Sequence, residues 1–301
     1  MLPARYDRLT YVTDRPPIAA IADLVAEVAA AELADRPPPA VLDVRWALGG
    51  TGAGRVAYAD GHLPGAVFVD LDADLAGRPG TGGRHPLPAP ESLQAALRSA
   101  GVREGHPVVV YDAGGRPPTG AAARAWWILR WAGISDVRVL DGGYAAWVAA
   151  GGRVDTALAR PTPGDVLVRP GGMPVLDAAA AADLGGSGTL LDARSPERYR
   201  GETEPVDRVA GHIPGAVNAP IAHTVEDDGR LLPAATLRSH FAVLGVGEGK
   251  AVGAYCGSGV GAAQTVLALT VAGYSPALYV GSWSDWITNP TRPVATGDAG
   301  R

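Results

Sequence analysis

A single residue in this chain of 301 offers a soft, strongly nucleophilic side chain, the lone cysteine Cys256. It opens the run Cys256-Gly257-Ser258-Gly259-Val260-Gly261, which follows the apolar stretch 251–255 and leads into the helical pattern 262–271. A thiol at a strand's carboxyl end is thus followed by glycines at alternate positions and then by a helix start. Glycine enters left-handed backbone without a Cβ penalty, so successive N–H groups can turn inward as an anion-binding nest. The helix start adds unpaired N–H groups and the positive end of its dipole. Both favour the thiolate of Cys256 over the thiol. A lone cysteine is most often a small buried hydrophobe. Its position at the carboxyl edge of a sheet, where α/β proteins bind ligands, argues instead for a reactive nucleophile.

The elements that must position this loop occur twice. Leu42-Asp43-Val44-Arg45 returns as Leu191-Asp192-Ala193-Arg194, and Gly61-His62-Leu63-Pro64-Gly65-Ala66-Val67 returns as Gly211-His212-Ile213-Pro214-Gly215-Ala216-Val217. Tyr111-Asp112 aligns with Tyr255-Cys256, Ala132-Gly133 with Ala272-Gly273, and Trp147 with Trp286. Such self-similarity marks two copies of one domain. In the first copy the patterns predict helices over 18–33, 90–100 and 120–132, and strands over 40–46, 67–69, 108–111 and 137–140. Short apolar runs separated by helices predict an α/β fold, with two tandem domains that are each a parallel sheet flanked by helices. Residues 151–172, with Pro161, Pro163 and Pro170, read as the linker between copies at 1–150 and 173–301. Trp126, Trp127 and Trp131 have the spacing of a core-facing helix stripe.

Composition narrows the function classes. One cysteine closes no intrachain disulfide and cannot build a thiolate metal cluster, so we expect no metal, no cofactor and a reducing compartment, the cytoplasm. A net charge of −5 gives no nucleic-acid footprint. The apolar stretch 17–34 is broken by Asp23, Glu27 and Glu32, so no membrane span is expected. The first twenty residues lack the apolar core of a signal peptide.

The tandem repeat, the His-x-Pro-Gly-Ala motif in both halves and the Cys256-Gly257-Ser258-Gly259-Val260 loop in the second half alone resemble the two-domain rhodanese family of sulfurtransferases, over about Leu42 to Trp286. The resemblance implies an active second domain and an inactive first one, in keeping with Asp112 at the cysteine position. The loop after Asp112 is longer and holds Pro117-Pro118, which have no N–H to contribute, so the same nest is not expected there. It further implies a two-step reaction without metal or organic cofactor. Cys256 takes sulfur from a small anionic donor as a persulfide, cradled by Gly257, Ser258, Gly259, Val260 and Gly261, and passes it to an acceptor. That acceptor is a dithiol such as thioredoxin, a low-molecular-weight thiol or cyanide.

Relatives that prefer thiosulfate resemble one another in basic side chains directly after the cysteine; here Gly257 and Ser258 are neutral. The loop is more similar to that of 3-mercaptopyruvate sulfurtransferases, whose serine helps polarise the substrate, although Gly261 stands where that group usually has threonine. Thiosulfate:cyanide transfer by the same route is the alternative. The family's substrate arginine matches Arg198, and a second matches Arg208 if one residue is inserted. A guanidinium there would grip the donor's anionic group bidentately. His62 matches a family histidine across the cleft, although its twin His212 suggests a shared structural task. Arg194, after Asp192, reads as a brace at the strand end, and Arg84-His85-Pro86 as a possible edge of the cleft.

Three rival readings are weaker. A cysteine phosphatase needs an arginine where Ala262 stands, at the far end of a longer loop. Gly50-x-Gly52-x-Gly54 followed by Asp70 imitates a dinucleotide fingerprint, but the intervening segment leaves no room for its helix and reads as a flexible cleft loop. A non-catalytic binding or regulatory module would not need Cys256 with all three loop glycines.

Overall fold

The computed structural model describes residues 15–298; most of the amino-terminal stretch read above for targeting lies outside the described residues. The first half runs β1 (Ile18–Ala19), α1 (Ile21–Leu33), β2 (Ala40–Asp43), α2 (Ala53–Asp60), β3 (Val67–Phe68), α3 (Pro90–Ser99), β4 (Val108–Tyr111), α4 (Ala121–Trp131), β5 (Val137–Leu140) and α5 (Gly143–Ala149). The second half repeats it as β6 (Val175–Leu176), α6 (Ala178–Ser187), β7 (Thr189–Asp192), α7 (Pro196–Arg200), β8 (Val217–Asn218), α8 (Ala234–Val243), β9 (Val252–Tyr255), α9 (Val260–Val271), β10 (Ala277–Tyr279) and α10 (Ser282–Trp286), with a 3-10 turn at Ile221–Thr224. Each half builds a five-stranded sheet with every pair parallel, ordered β1-β5-β4-β2-β3 and β6-β10-β9-β7-β8.

The central strands β4 (VVVY) and β9 (VGAY) are buried at every position, as strands covered on both faces must be. The helices that follow them, α4 and α9, are enclosed almost all round and pack against each other across the junction of the halves. A continuous apolar core therefore runs through both copies, from Leu42 and Trp127 to Leu237 and Leu267. Trp126, Trp127 and Trp131 are core residues, as their spacing predicts.

Two expectations need correction. Residues 18–19 belong to a strand, paired with Val139 and Leu140, and the helix starts only after the extended Ala20. The glycine run at 50–54 is no flexible loop without a helix. Gly52, at φ +77, caps α2, and Gly54 sits so close to the Arg45 carbonyl that a Cβ would lie 1.7 Å from its oxygen. An eight-residue helix fits because its glycines let it press onto the end of β2.

Candidate active site

Cys256 follows the last residue of β9, and its backbone is tied on both sides. Its N–H donates to Ser282 Oγ at 3.1 Å, and its carbonyl accepts from Trp283 N–H at 3.0 Å. The chain then turns at Gly259, φ +84, where a Cβ would lie 2.4 Å from the Val280 carbonyl oxygen. This fold of the loop brings the Gly259 N–H within 3.1 Å of the Cys256 sulfur, the kind of donor an anionic sulfur needs. Gly261, in the first turn of α9, has space beside it: a Cβ would meet Cys256 Sγ at 3.8 Å and Ile221 at 3.5 Å, both ordinary contacts.

Other segments bring charge to this loop. A Cβ on Gly257 would lie 2.8 Å from Arg84 Nη2 and 3.6 Å from Arg198 Nη2, so two guanidiniums lean over a loop that is neutral in sequence. Arg84 comes from the first half and reaches across to the second, where its N–H donates to Ser284 Oγ at 3.0 Å and its guanidinium pairs with Asp207. Arg198, in α7, binds Glu204 at 2.7 and 3.0 Å and Asp207 at 3.3 Å. Burial works to raise the Glu204 carboxyl, but Arg198 and the N–H groups of Asp207 and Val206 hold it below the usual range. Arg208 turns its guanidinium to the Ile287 carbonyl, 2.5 Å away, instead of joining Arg198 at the loop.

Ser258 is the other polar group of the loop. Its hydroxyl lies 2.8 Å from His85 Nδ1, and His85 Nε2 lies 3.0 Å from Asp72 Oδ1. Asp72 is in turn held by Trp46 Nε1 at 3.1 Å, and the Trp46 ring stands edge-on to His85. A carboxylate only accepts, so Nε2 carries the proton and Nδ1 accepts from the Ser258 hydroxyl. Burial pushes the imidazole down from its ordinary range; Asp72 pulls it back up, while Arg124 and Arg84 add to the lowering. His85 is therefore neutral near pH 7, as acceptance from Ser258 requires.

His62 is not a cleft residue. It is fully buried, stacked on Tyr58 with ring centroids 3.9 Å apart, and its ring nitrogens lie 2.7 Å from the Tyr58 carbonyl and 3.2 Å from that of Ala157. His212 repeats the arrangement on Tyr199 at 3.8 Å. Both histidines fix the turn before their sheet's edge strand. The histidine at the cleft is His85, for which the sequence offers only an Arg-His-Pro run beside glycines. Arg194 braces the strand end as read: its Nη2 binds Asp192 at 2.6 Å and the Gly211 carbonyl at 2.7 Å. Arg45 does the same with Asp43 and Gly61, both at 2.6 Å.

Residues 26–150 and 177–289 match the family of Rhodanese-like domains. The chain belongs to the rhodanese family. Among its relatives is a protein of Mycobacterium tuberculosis named "Putative thiosulfate sulfurtransferase SseB", 49% identical over 90% of this chain and 97% of that one. Another, of Pseudomonas aeruginosa, is named "Probable 3-mercaptopyruvate sulfurtransferase" and is 48% identical over 91% and 98%. The crystal structure of the 3-mercaptopyruvate enzyme SseA of Escherichia coli superposes with a TM-score of 0.75 at 33% identity, covering 90% of this chain and all of that one.

Within this rhodanese pair the two loops are structural equivalents. The Asp112 carbonyl accepts from Tyr144 N–H at 2.9 Å, as that of Cys256 does from Trp283. The Asp112 carboxylate then receives the Gly114 N–H at 3.0 Å, the Thr119 hydroxyl at 2.9 Å and the Ala122 N–H at 3.1 Å. The first loop thus forms a cradle of its own kind, and the side chain at the cysteine position already fills it.

Proposed function

We propose that this rhodanese-family sulfurtransferase takes the sulfur of 3-mercaptopyruvate onto Cys256 and passes it to a thiol acceptor. The Cys256 thiolate attacks the donor's sulfur, and the carbon–sulfur electron pair leaves with carbon as the enolate of pyruvate. The donor's thiol proton is then taken up by that carbon, giving pyruvate and a Cys256 persulfide anion. An acceptor thiolate attacks the outer sulfur and releases Cys256 as thiolate. The loop N–H groups, Gly259 first, are placed to carry the anion between the two steps. Arg198 is the arginine for the donor carboxylate, with Arg84 beside it.

The donor assignment is carried by the contact of Ser258 Oγ with His85 Nδ1 at 2.8 Å, backed by Asp72. This hydroxyl can turn its one proton from His85 to a keto oxygen as that oxygen becomes an enolate, and thiosulfate forms no enolate. The charge around the loop supports the same donor. Arg84 and Arg198 are balanced by Asp207 and Glu204, which leaves less net positive charge than a dianion would draw on. Thiosulfate transfer is the second reading, favoured by the presence of both guanidiniums over Gly257.

No helix among the described residues is long and apolar enough to cross a membrane. With a single cysteine that must stay reduced between turnovers, the cytoplasm is the compartment we assign, with thioredoxin-like dithiols or small thiols as acceptors and cyanide as a laboratory substitute.

The test is kcat/KM for both donors in wild type and Ser258→Ala. Wild type should favour mercaptopyruvate, and the variant should lose about a hundredfold with it, the cost of an oxyanion donor, while thiosulfate turnover changes little. A wild type that prefers thiosulfate, or equal losses with both donors, overturns the assignment.

A further inference from the structure

Arg124 has no part in the scheme above, although it lies against the loop. It projects from α4 of the first half, is fully enclosed, and donates from Nη2 to the His85 carbonyl at 2.8 Å. Its Nε and Nη1 are equally buried and have no hydrogen-bond partner. No carboxylate forms an ion pair with it among the described residues. Nη1 lies 3.1 Å from the point that a Cβ on Gly259 would occupy, and Gly259 is the residue whose N–H donates to Cys256 Sγ.

An isolated cation in a protein interior is costly unless an anion compensates it. Burial, opposed by the charge of Cys256, lowers the Arg124 guanidinium to about 10, so it stays a cation at neutral pH. The other charged groups around the loop are already engaged. Arg84 and Arg198 share Asp207 and Glu204, His85 is neutral and bound to Asp72, Tyr255 is a buried neutral phenol tied to Ile213 N–H, and Asp285 holds Tyr279 and Arg292. The anion left for Arg124 is the sulfur of Cys256.

We propose that Arg124 is the internal counter-ion of the Cys256 thiolate and persulfide, a positioning residue lent by the half that has no cysteine. It acts through Gly259, on which its guanidinium rests, and by its charge it keeps the nucleophile ionised and the persulfide anion in place between the two steps. This rests on Cys256 being the nucleophile, not on which donor loads it. The glycine at 259 answers two demands at once: it turns the chain at positive φ and leaves the guanidinium room to approach.

The full-length protein carries one thiol, so alkylation by iodoacetamide, located by mass, reports Cys256 alone. In Arg124→Met, of similar length but uncharged, alkylation at about pH 7 should fall about tenfold, while the rate at about pH 10, where the thiol is ionised anyway, stays within about twofold of wild type. Arg124→Lys, which keeps the charge, should restore the neutral-pH rate to within about threefold. Thermal stability of the Met variant should change little, because Cys256 can take up a proton once its counter-ion has gone. A Met variant that alkylates like wild type at neutral pH overturns the proposal, and a lowered melting point with an unchanged pH profile shows Arg124 to be only a tie for the His85 carbonyl. Should the Met variant not fold, Arg124→Gln read against Arg124→Lys makes the same comparison. Alkylation needs no sulfur donor, so a failed donor assignment leaves this result readable, and unchanged alkylation with intact sulfur transfer would sink Arg124's role alone.

Discussion

His85 couples two kinds of pH dependence because it is buried neutral between Ser258 and Asp72. Its lowered value means that the unfolded chain takes up this proton before the folded chain does as pH falls through about 6.5. The contribution to stability is therefore whole above that pH and is lost as pH drops through the folded value. Nuclear magnetic resonance titration of the His85 ring should give a midpoint below about 6.5 with the neutral form protonated at Nε2. Asp72→Asn should move the midpoint lower still, since Asp72 is what pulls it up. A midpoint above the ordinary histidine value would remove the acceptor that Ser258 needs. At this scale the cysteine and its glycine loop were legible in the sequence, because adjacent residues build them. The charge around the loop was legible in part, Arg198 through the family resemblance and Arg84-His85 as a possible edge of the cleft. Arg84, His85 and Arg124 arrive from the other copy through tertiary packing, and in sequence Arg124 is one more arginine in an Ala- and Trp-rich helix. The neutrality of Gly257 and Ser258 describes the loop alone, over which two guanidiniums lean with their carboxylate partners.

Among the elements, β2 and β7 end in the same device, an Asp-x-Arg pair that folds back on itself and reaches a carbonyl of the next turn. Both residues of each pair are almost fully buried, and the Asp192 carbonyl also receives the Ala219 N–H that pairs β7 with its edge strand. Burial works to lower the Arg194 guanidinium, but Asp192 more than compensates and keeps it charged. Arg194→Leu would leave Asp192 buried without its cation, and loss of one partner of a buried pair costs about 3–5 kcal/mol. Urea unfolding should show a drop of that order for Arg194→Leu and a comparable one for Arg45→Leu; a loss below about 1 kcal/mol in either would mean that the pair idles. These repeated motifs were readable as structure because two copies carried them and only one carried the cysteine. Longer elements were readable from their apolar runs. The strand at Ile18–Ala19 was not, because two residues show no periodicity, and α2 was hidden by glycines that ordinarily mark a loop.

Across the whole molecule, the duplicated halves have divided the labour instead of duplicating it. The second supplies Cys256 and its loop; the first supplies Asp72, Arg84, His85 and Arg124, while its own cradle is closed by Asp112. Such a division needs a rigid junction, because a shift of about 1 Å in a supporting group is enough to impair a catalytic arrangement. The junction has the means. At the start of α4, Gly120 comes so near α9 that a Cβ would lie 2.9 Å from the Val260 carbonyl oxygen, and Gly83 presses as closely on Gly281. Domains joined by a small polar interface move and unfold separately, whereas here α4 and α9 belong to one apolar core. The chain should therefore unfold in one cooperative step, with calorimetric and van't Hoff enthalpies in a ratio of about 1 and the same midpoint by tryptophan fluorescence and circular dichroism. Gly120→Val should lower that midpoint as a single transition, since it forces a β-branched residue into positive φ and wedges the two helices apart. Two resolved transitions, or a Gly120→Val effect confined to one of them, would mean that the halves fold independently and that the first could not hold its four side chains against the Cys256 loop.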